Sequence, residues 1–442
     1  MKKIVKAASL TAMAVGLAGS MHAQQSLPLT LNDMFEMAEA RNRSMAVMDL
    51  AVAEAEEAIK VAKSGRLPDV EASLAVSYIG NANIFSREWD EFQLVHLPHF
   101  GNNFALEATQ VIYSGGAVTA GVNMARLRRE MARLSKDEVR ENVRMMLAGS
   151  YLQLYKLRNE RKVYEQNIVQ TRKLIEEITA KHSQGVALKN DVTRYELQLK
   201  GYELAVTQIE NSKAILNHQL SVALGLPEGT EIEVDTTMTA SLSETLHEIS
   251  NELYWQNEAL MSSPSIKQGQ VGIEMSHEAE KLAGSERMPS VFAFAADKLE
   301  GPILTEVPTI NSNLNYWYAG VGVRYSLSSL FKANKKVRQA HAATLLANEE
   351  HLLAQDNLRT AMKEAYVRFE EAFTVHDTQL KSLELAQQNY EVVNNRYLND
   401  LALITDMLDA STQKLNAELQ VVNAQINILF NYYKLRKTAG NL

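Results

Sequence analysis

The chain is written twice. Tyr151 and Tyr366, Asp191 and Asp406, and Gly225 and Gly440 are pairs at one spacing (406 − 191 = 215). At the same spacing Asn142, Arg144, Ala187, Leu188, Gln198 and Glu203 recur as Asn357, Arg359, Ala402, Leu403, Gln413 and Glu418, with no gap needed from Val122 to Gly225. Earlier in each half the spacing becomes 221: Glu57, Ala58, Lys60, Arg66, Pro68 and Val70 match Glu278, Ala279, Lys281, Arg287, Pro289 and Val291. A chain of 442 residues would otherwise suggest two or three unrelated globular domains. The duplication replaces that expectation with two copies of one structural unit. The copies span 24–225 and 246–442, 226–245 links them, and the change of spacing implies loops of unequal length.

Within the first copy, residues from Thr30 to Ala62 read as a helix, with Leu31, Met34, Phe35 and Ala38 on one face and Thr30 as N-cap, Asp33 standing three residues on. Arg66-Leu67-Pro68 breaks it. From Asp69 to Tyr78 the period falls to two, which predicts a strand, and a second extended segment covers 104–113 after a loop at 79–103. From Ala117 to about His182 there is no proline, and apolar residues recur at three- and four-residue spacing. About 65 residues at ~1.5 Å each make a helix of roughly 100 Å, a length that requires a coiled-coil partner. Gly185 and Asn190-Asp191 turn the chain, and a return helix stops at Gly225-Leu226-Pro227.

The second copy repeats this order, with a helix from about Leu246 to Ala283, strands at 290–299 and 316–327, a loop at 300–315, and a helical hairpin over 332–440. In the last strand Trp317, Ala319, Val321, Val323, Tyr325 and Leu327 share one face, while Tyr318, Gly320, Gly322, Arg324 and Ser326 share the other. An apolar stripe with aromatic ends opposite a polar face is the pattern of a transmembrane barrel strand. Four strands cannot close such a barrel, since about eight is the minimum, so several chains must contribute.

Lys2, Lys3 and Lys6 precede an apolar run from Ala7 to Ala18, which reads as a signal peptide over 1–23 with cleavage after Ala23. With no cysteine, an exported chain is held by packing and oligomerisation, and a lipidated N-terminus is excluded. The net charge of −8, with both signs interspersed, gives nucleic-acid binding no support.

A signal peptide, two copies of helix, strand, loop, strand and helical hairpin, and no transmembrane helix together resemble the TolC-like outer-membrane efflux proteins over essentially the whole mature chain. Leu29-Thr30-Leu31-Asn32-Asp33, Arg66-Leu67-Pro68, Tyr113-Ser114-Gly115-Gly116 and, most specifically, the run from Ile404 to Gln413 carry the likeness. It implies an α+β membrane protein: a homotrimer with a barrel of four strands per protomer in outer-membrane lipid, on a coiled-coil tunnel through the periplasm. It also implies a passive exit duct for efflux or type I secretion, docking on a periplasmic adaptor and an inner-membrane pump, with no cofactor. Loops 79–103 and 300–315 would face outside.

The resemblance places Asp406 and Asp409 in rings of carboxylates at the periplasmic aperture, where like charges would raise pKa values and favour cations. The plainer reading is that Asp406 caps its helix. Tip support in the family links an arginine to an aspartate and a tyrosine. Asp191 and Tyr397 fit two of these partners, but the arginine position is Ala402 and a further basic position is Gln425. Closure is therefore expected to rest on packing.

Other features point elsewhere only weakly. His96 and His99 are three apart in a loop, as in half of a metal site, but loop histidines are more often solvated. Met34, Met37, Met45 and Met48 are of the thioether type that favours Cu(I), which would suit metal-ion export, yet they also suit one packed helix face. No nucleophile, phosphate loop or His-Glu-x-x-His is present, so the chain does not read as an enzyme. The reading that competes with a channel is a periplasmic coiled-coil adaptor or spacer. Adaptors generally carry one hairpin, whereas here the strands are duplicated together with the helices.

Overall fold

The computed structural model describes residues 26–227, 229–234, 251–306, 309–399 and 401–442; the expected signal peptide and linker residues 235–250 lie outside them. The chain divides into two interleaved compact units, one within 1–43, 143–249 and 367–434 and the other within 44–142, 250–366 and 435–442.

The first unit opens with β1 (Ser26–Leu29) and α1 (Leu31–Arg41). Thr30 and Asp33 form the expected cap reciprocally: Thr30 Oγ1 accepts from the Asp33 amide at 3.2 Å, and Asp33 accepts from the Thr30 amide at 2.9 Å. The sequence pattern shows no element in the linker, yet β6 (Glu231–Val234) pairs in parallel with β1. Long helices α3 (Ala117–Ser183) and α7 (Ser329–Leu398) each pass through both units. Within the first unit their later portions join the return helices α4 (Lys189–Leu224) and α8 (Ile404–Ala439). Buried Leu147, Leu152, Leu220, Ile428 and Leu429 belong to this helical core.

The second unit holds α2 (Arg43–Ser64), α5 (Glu252–Ser262), α6 (Pro264–Ser285) and the strands β2 (Asp69–Tyr78), β3 (Ala82–Phe85), β4 (Phe92–Val95), β5 (Phe100–Tyr113), β7 (Ser290–Gly301) and β8 (Leu314–Arg324). One antiparallel sheet runs in the order β2-β5-β7-β8, and β3 and β4 form a separate hairpin. Each helix-to-strand junction turns the same way. Arg66 and Leu67 amides return to Lys63 and Ser64 carbonyls, and Arg287 and Met288 amides to Gly284 and Ser285, before Pro68 and Pro289 stop the helix.

Several expected boundaries are corrected. The helix expected over Thr30–Ala62 breaks at Asn42, which leaves the helix with extended backbone (ψ 132°). Its counterpart breaks at Ser263, 221 positions on, where Pro264 starts a new helix at its permitted first turn; the expected start near Leu246 lies outside the described residues. The strand expected at 316–327 ends at Arg324, because Ser329 and Leu330 amides bond back to Ser326 and Leu327 and begin α7. Tyr325 and Leu327 therefore lie past the strand. The loop at 79–103 contains the β3–β4 hairpin, and β5 starts at Phe100.

Candidate functional site

The sheet has two chemically different faces. Direct cross-strand partners share a face, so the registers place Val70, Ala72, Leu74 and Val76 with Leu106 and Phe104, and Val291, Ala293 and Ala295 with Val323, Val321 and Ala319. Trp317 continues this face beside Asp297, whose carboxylate accepts from Asn315 at 2.9 Å. The opposite face carries Glu71 across from Glu107, Lys298 2.8 Å from Glu107, and Tyr316 donating to Glu300 at 3.2 Å. On that face Gly320 and Gly322 lie opposite Phe294 and Phe292, and a Cβ at either would come within 2.8 or 2.6 Å of a ring. The glycines make room for rings that cover the strand.

Every residue of β2 is exposed, and Trp317, Val321 and Val323 are exposed as well. A soluble sheet would cover its apolar face with a second layer. Here the apolar face needs a lipid-like covering, and β2 and β8 are edges with no partner strand among the described residues. A sheet of this kind, joined to duplicated helical hairpins, has the strand pattern of an outer-membrane β-barrel channel. Among the described residues no helix is long and apolar enough to cross a membrane.

The second candidate region comprises the hairpin turns of the first unit. Leu174, Ile178, Tyr195 and Met407 form a buried cluster, flanked by Ala187, Val192, Tyr390, Tyr397, Ile404 and Leu408. Asp191 and Asp406 occupy equivalent places: each carboxylate accepts from the amide three residues before it, Leu188 at 3.2 Å and Leu403 at 3.1 Å. Both are caps, and Asp406 and Asp409 are exposed. Asp409 accepts from Gln413 Nε2 at 2.7 Å. Tyr397 packs on the cluster, with the Lys181 ammonium 5.3 Å from its ring centroid, and Ala402 leaves no cation there. Asp191 and Tyr397 thus both belong to this turn region, one capping α4 and the other packing on the cluster.

Sequence reasoning missed Tyr195 and Met407, both fully buried. The Tyr195 hydroxyl is buried without a hydrogen-bond partner among the described residues, and burial pushes its pKa up, with neighbouring Tyr397 and Tyr390 adding to the effect. Also missed was a polar layer two helical turns further along α8. Lys414 lies 4.8 Å from the Tyr390 ring and 3.6 Å from Glu418, which accepts from the buried Asn167 at 3.0 Å. The spacing of Lys414 and Glu418 on one helix face was the available signal. At the apices of the two turns Val186, Leu188, Leu401 and Leu403 are exposed, between 62% and 70%.

His99 serves the strands: its Nδ1 donates to the Ile79 carbonyl at 2.8 Å and its ring stacks on Tyr78. Met34 and Met45 are buried packing residues.

The chain belongs to the outer membrane efflux protein family, whose model matches residues 34–226 and 255–441. Solved channels of similar fold include VceC of Vibrio cholerae, at 15% identity and a TM-score of 0.73 over 93% of this chain and 96% of that one. CusC aligns at 12% identity and a TM-score of 0.77, over 93% and 92% of the two chains. The open-state MtrE channel of Neisseria gonorrhoeae aligns at 14% and 0.71, over 93% and 89%. At such identities the likeness shows the fold: an α+β membrane protein of duplicated build, combining helical hairpins with barrel strands. No curated protein sequence matches.

Proposed function

We propose that the chain is a homotrimeric exit duct of the outer membrane, coupled to a periplasmic adaptor and an inner-membrane pump. The observation that carries this reading is the four-stranded sheet with an uncovered apolar face, a polar face and two unpaired edges. Three copies supply twelve strands and bury every edge, which four strands alone cannot do. The apolar face, including Trp317, Ala319, Val321 and Val323, then meets outer-membrane lipid, and the hairpins of both repeats, within 24–225 and 246–442, build a periplasmic tunnel. Transport is passive, and the pump supplies the energy.

The apolar cluster between the hairpin turns supports a resting state closed by packing, with Lys181 over Tyr397 in place of an arginine latch. Asp406 and Asp409 from three copies put six carboxylates around the aperture, in addition to the capping that Asp406 performs. Exposed Val186, Leu188, Leu401 and Leu403 present apolar knobs at the end where an adaptor docks. In planar bilayers Asp406→Asn with Asp409→Asn should weaken divalent-cation block of conductance; unchanged block removes both residues from the pore. Fractionation tests the larger claim, since recovery as soluble periplasmic protein would rule out the duct.

A further inference from the structure

The β3–β4 hairpin holds a cluster of three exposed aromatic rings. Phe85 and Phe92 are direct cross-strand partners with centroids 6.4 Å apart, and Trp89 lies 5.3 Å from Phe85. Trp89 is 78% and Phe92 71% exposed. The tip is built rather than loose. The Ser86 amide donates to the Glu91 carbonyl at 3.0 Å, and Ser86 Oγ donates to Asp90 at 2.5 Å while accepting from the Asp90 amide. Trp89 is held at φ 62°, a left-handed conformation uncommon for a bulky residue.

We propose that this aromatic tip docks on the same tip of neighbouring copies, so that three hairpins converge over the external mouth of the barrel and narrow it. This rests on the trimeric reading above. Three features of the chain select a second copy as the occupant. First, the hairpin springs from β2, an unpaired edge of the sheet, so it stands where one copy must meet the next. The Ile79 amide donates to the His99 carbonyl at 3.0 Å and the Leu97 amide to Asn81 at 3.3 Å, which tie its base to the β2–β5 pair. Second, the tip carries its own charge complement. Arg87 makes no ion pair among the described residues, and Glu88, Asp90 and Glu91 lie beside it, so Arg87 of one copy can meet the acids of the next around a threefold axis. Third, a tip with three acids and one base is a poor match to lipid. The hydrocarbon core excludes its charges.

The absence of cysteine makes the test direct. Trp89→Cys is prepared in the full-length protein, purified in detergent and reconstituted, with Phe92→Cys as a second variant in case the turn does not tolerate the first. Mild oxidation should convert most chains to disulfide-linked dimers, about two of every three in a threefold ring, while Asn311→Cys in the shorter loop stays monomeric on a denaturing gel. An intact trimer on a native gel, with either tip cysteine fully maleimide-reactive but uncrosslinked, would overturn the proposal and leave the duct standing. Strong quenching by brominated lipid that is lost in Trp89→Phe, measured in a Trp317→Phe background because Trp317 itself meets lipid, would overturn it in favour of a lipid partner. Loss of the native trimer in the unaltered protein would instead refute the reading on which it rests.

Discussion

Gly225 and Gly440 are repeat mates, and substituting each separately should show what the duplication conserves and where its copies differ. Both end a return helix in the left-handed region, at φ 63° and 74°, and the amide of the following residue returns to the carbonyl five positions back, Leu226 to Ser221 and Asn441 to Arg436. Alanine at either place costs about 1 to 2 kcal/mol for a left-handed non-glycine residue. Beyond that the sites diverge. A Cβ on Gly225 would sit 3.2 Å from the Arg41 Cβ, a contact that small shifts relieve. A Cβ on Gly440 would come 2.6 Å from the Ser263 Cα and 2.8 Å from its backbone nitrogen. Backbone at a helix break cannot rotate away, so overpacking adds about 1 to 3 kcal/mol at Gly440 alone.

The assay is the unfolding half-life in detergent at one elevated temperature, followed by helical circular dichroism, because large membrane assemblies unfold irreversibly. At about tenfold in rate per 1.4 kcal/mol, Gly440→Ala should shorten the half-life roughly 5- to 150-fold more than Gly225→Ala, where the contact is absent from the transition state. Asparagine tolerates the left-handed region yet carries a Cβ, so Gly225→Asn should be mild and Gly440→Asn should stay damaging. Equal losses at both glycines would refute the argument that the Ser263 backbone sets the difference.

Three further outcomes are expected. Glu160 has its pKa raised by burial, only partly offset by Lys156 at 3.7 Å, so its charged form weakens the fold and that penalty grows as pH rises above the carboxylate range; Glu160→Gln should raise the apparent melting temperature at pH 7 and leave it nearly unchanged at pH 4. Burial raises the pKa of Tyr195, Tyr202 and Tyr390 above the ordinary phenol value, so their stabilising effect is complete below about pH 10 and is lost as pH climbs beyond it. Absorbance at the tyrosinate band should lag behind that of the unfolded chain, and a titration with no lag would contradict their burial. Met407→Ala empties the centre of the turn cluster at a cost of about 2 to 5 kcal/mol, and the channel should show raised resting conductance in planar bilayers; unchanged resting conductance would mean that this packing does not hold the aperture shut.

The parts of the fold legible in sequence were those where one strong period or a repeated punctuation mark dominated. Strand β2 falls at Asp69–Tyr78 as its alternation predicts, because nothing competes with a period of two between Pro68 and the loop. The breaks at Asn42 and Ser263 were less visible. Pro264 was the signal, and the 221-residue spacing would have carried it back to Arg43, but apolar periodicity runs on across both breaks. The same overshoot carried the expected strand to Leu327: alternation persisted through Tyr325 and Leu327 after the serines at 326, 328 and 329 had begun a helix. The short pairs β1–β6 and β3–β4 have four residues per strand, too few for periodicity to register. At the turns the capping carboxylates stood out, whereas Tyr195 and Met407 did not. In a helix packed on two sides nearly every apolar position looks alike.

What the structure adds to the duplication is a division between backbone and side chains at the turns. The backbone bonds repeat: Val186 returns to Lys181 and Leu401 to Arg396, and Asp191 and Asp406 each cap their own turn. The side chains have parted. Tyr195 and its mate Ala410 are both fully buried, one bulky and one small, so the large ring of the first copy has no equal competing for the same core from the second. Lys181 reaches the ring of Tyr397, while their mates Arg396 and His182 bond within their own turns, to the carbonyls of Leu401 and Ala187. With a large residue in one copy matched to a small one in the other, and a cation of the first copy set over a ring of the second, the two turns pack in one core without being identical.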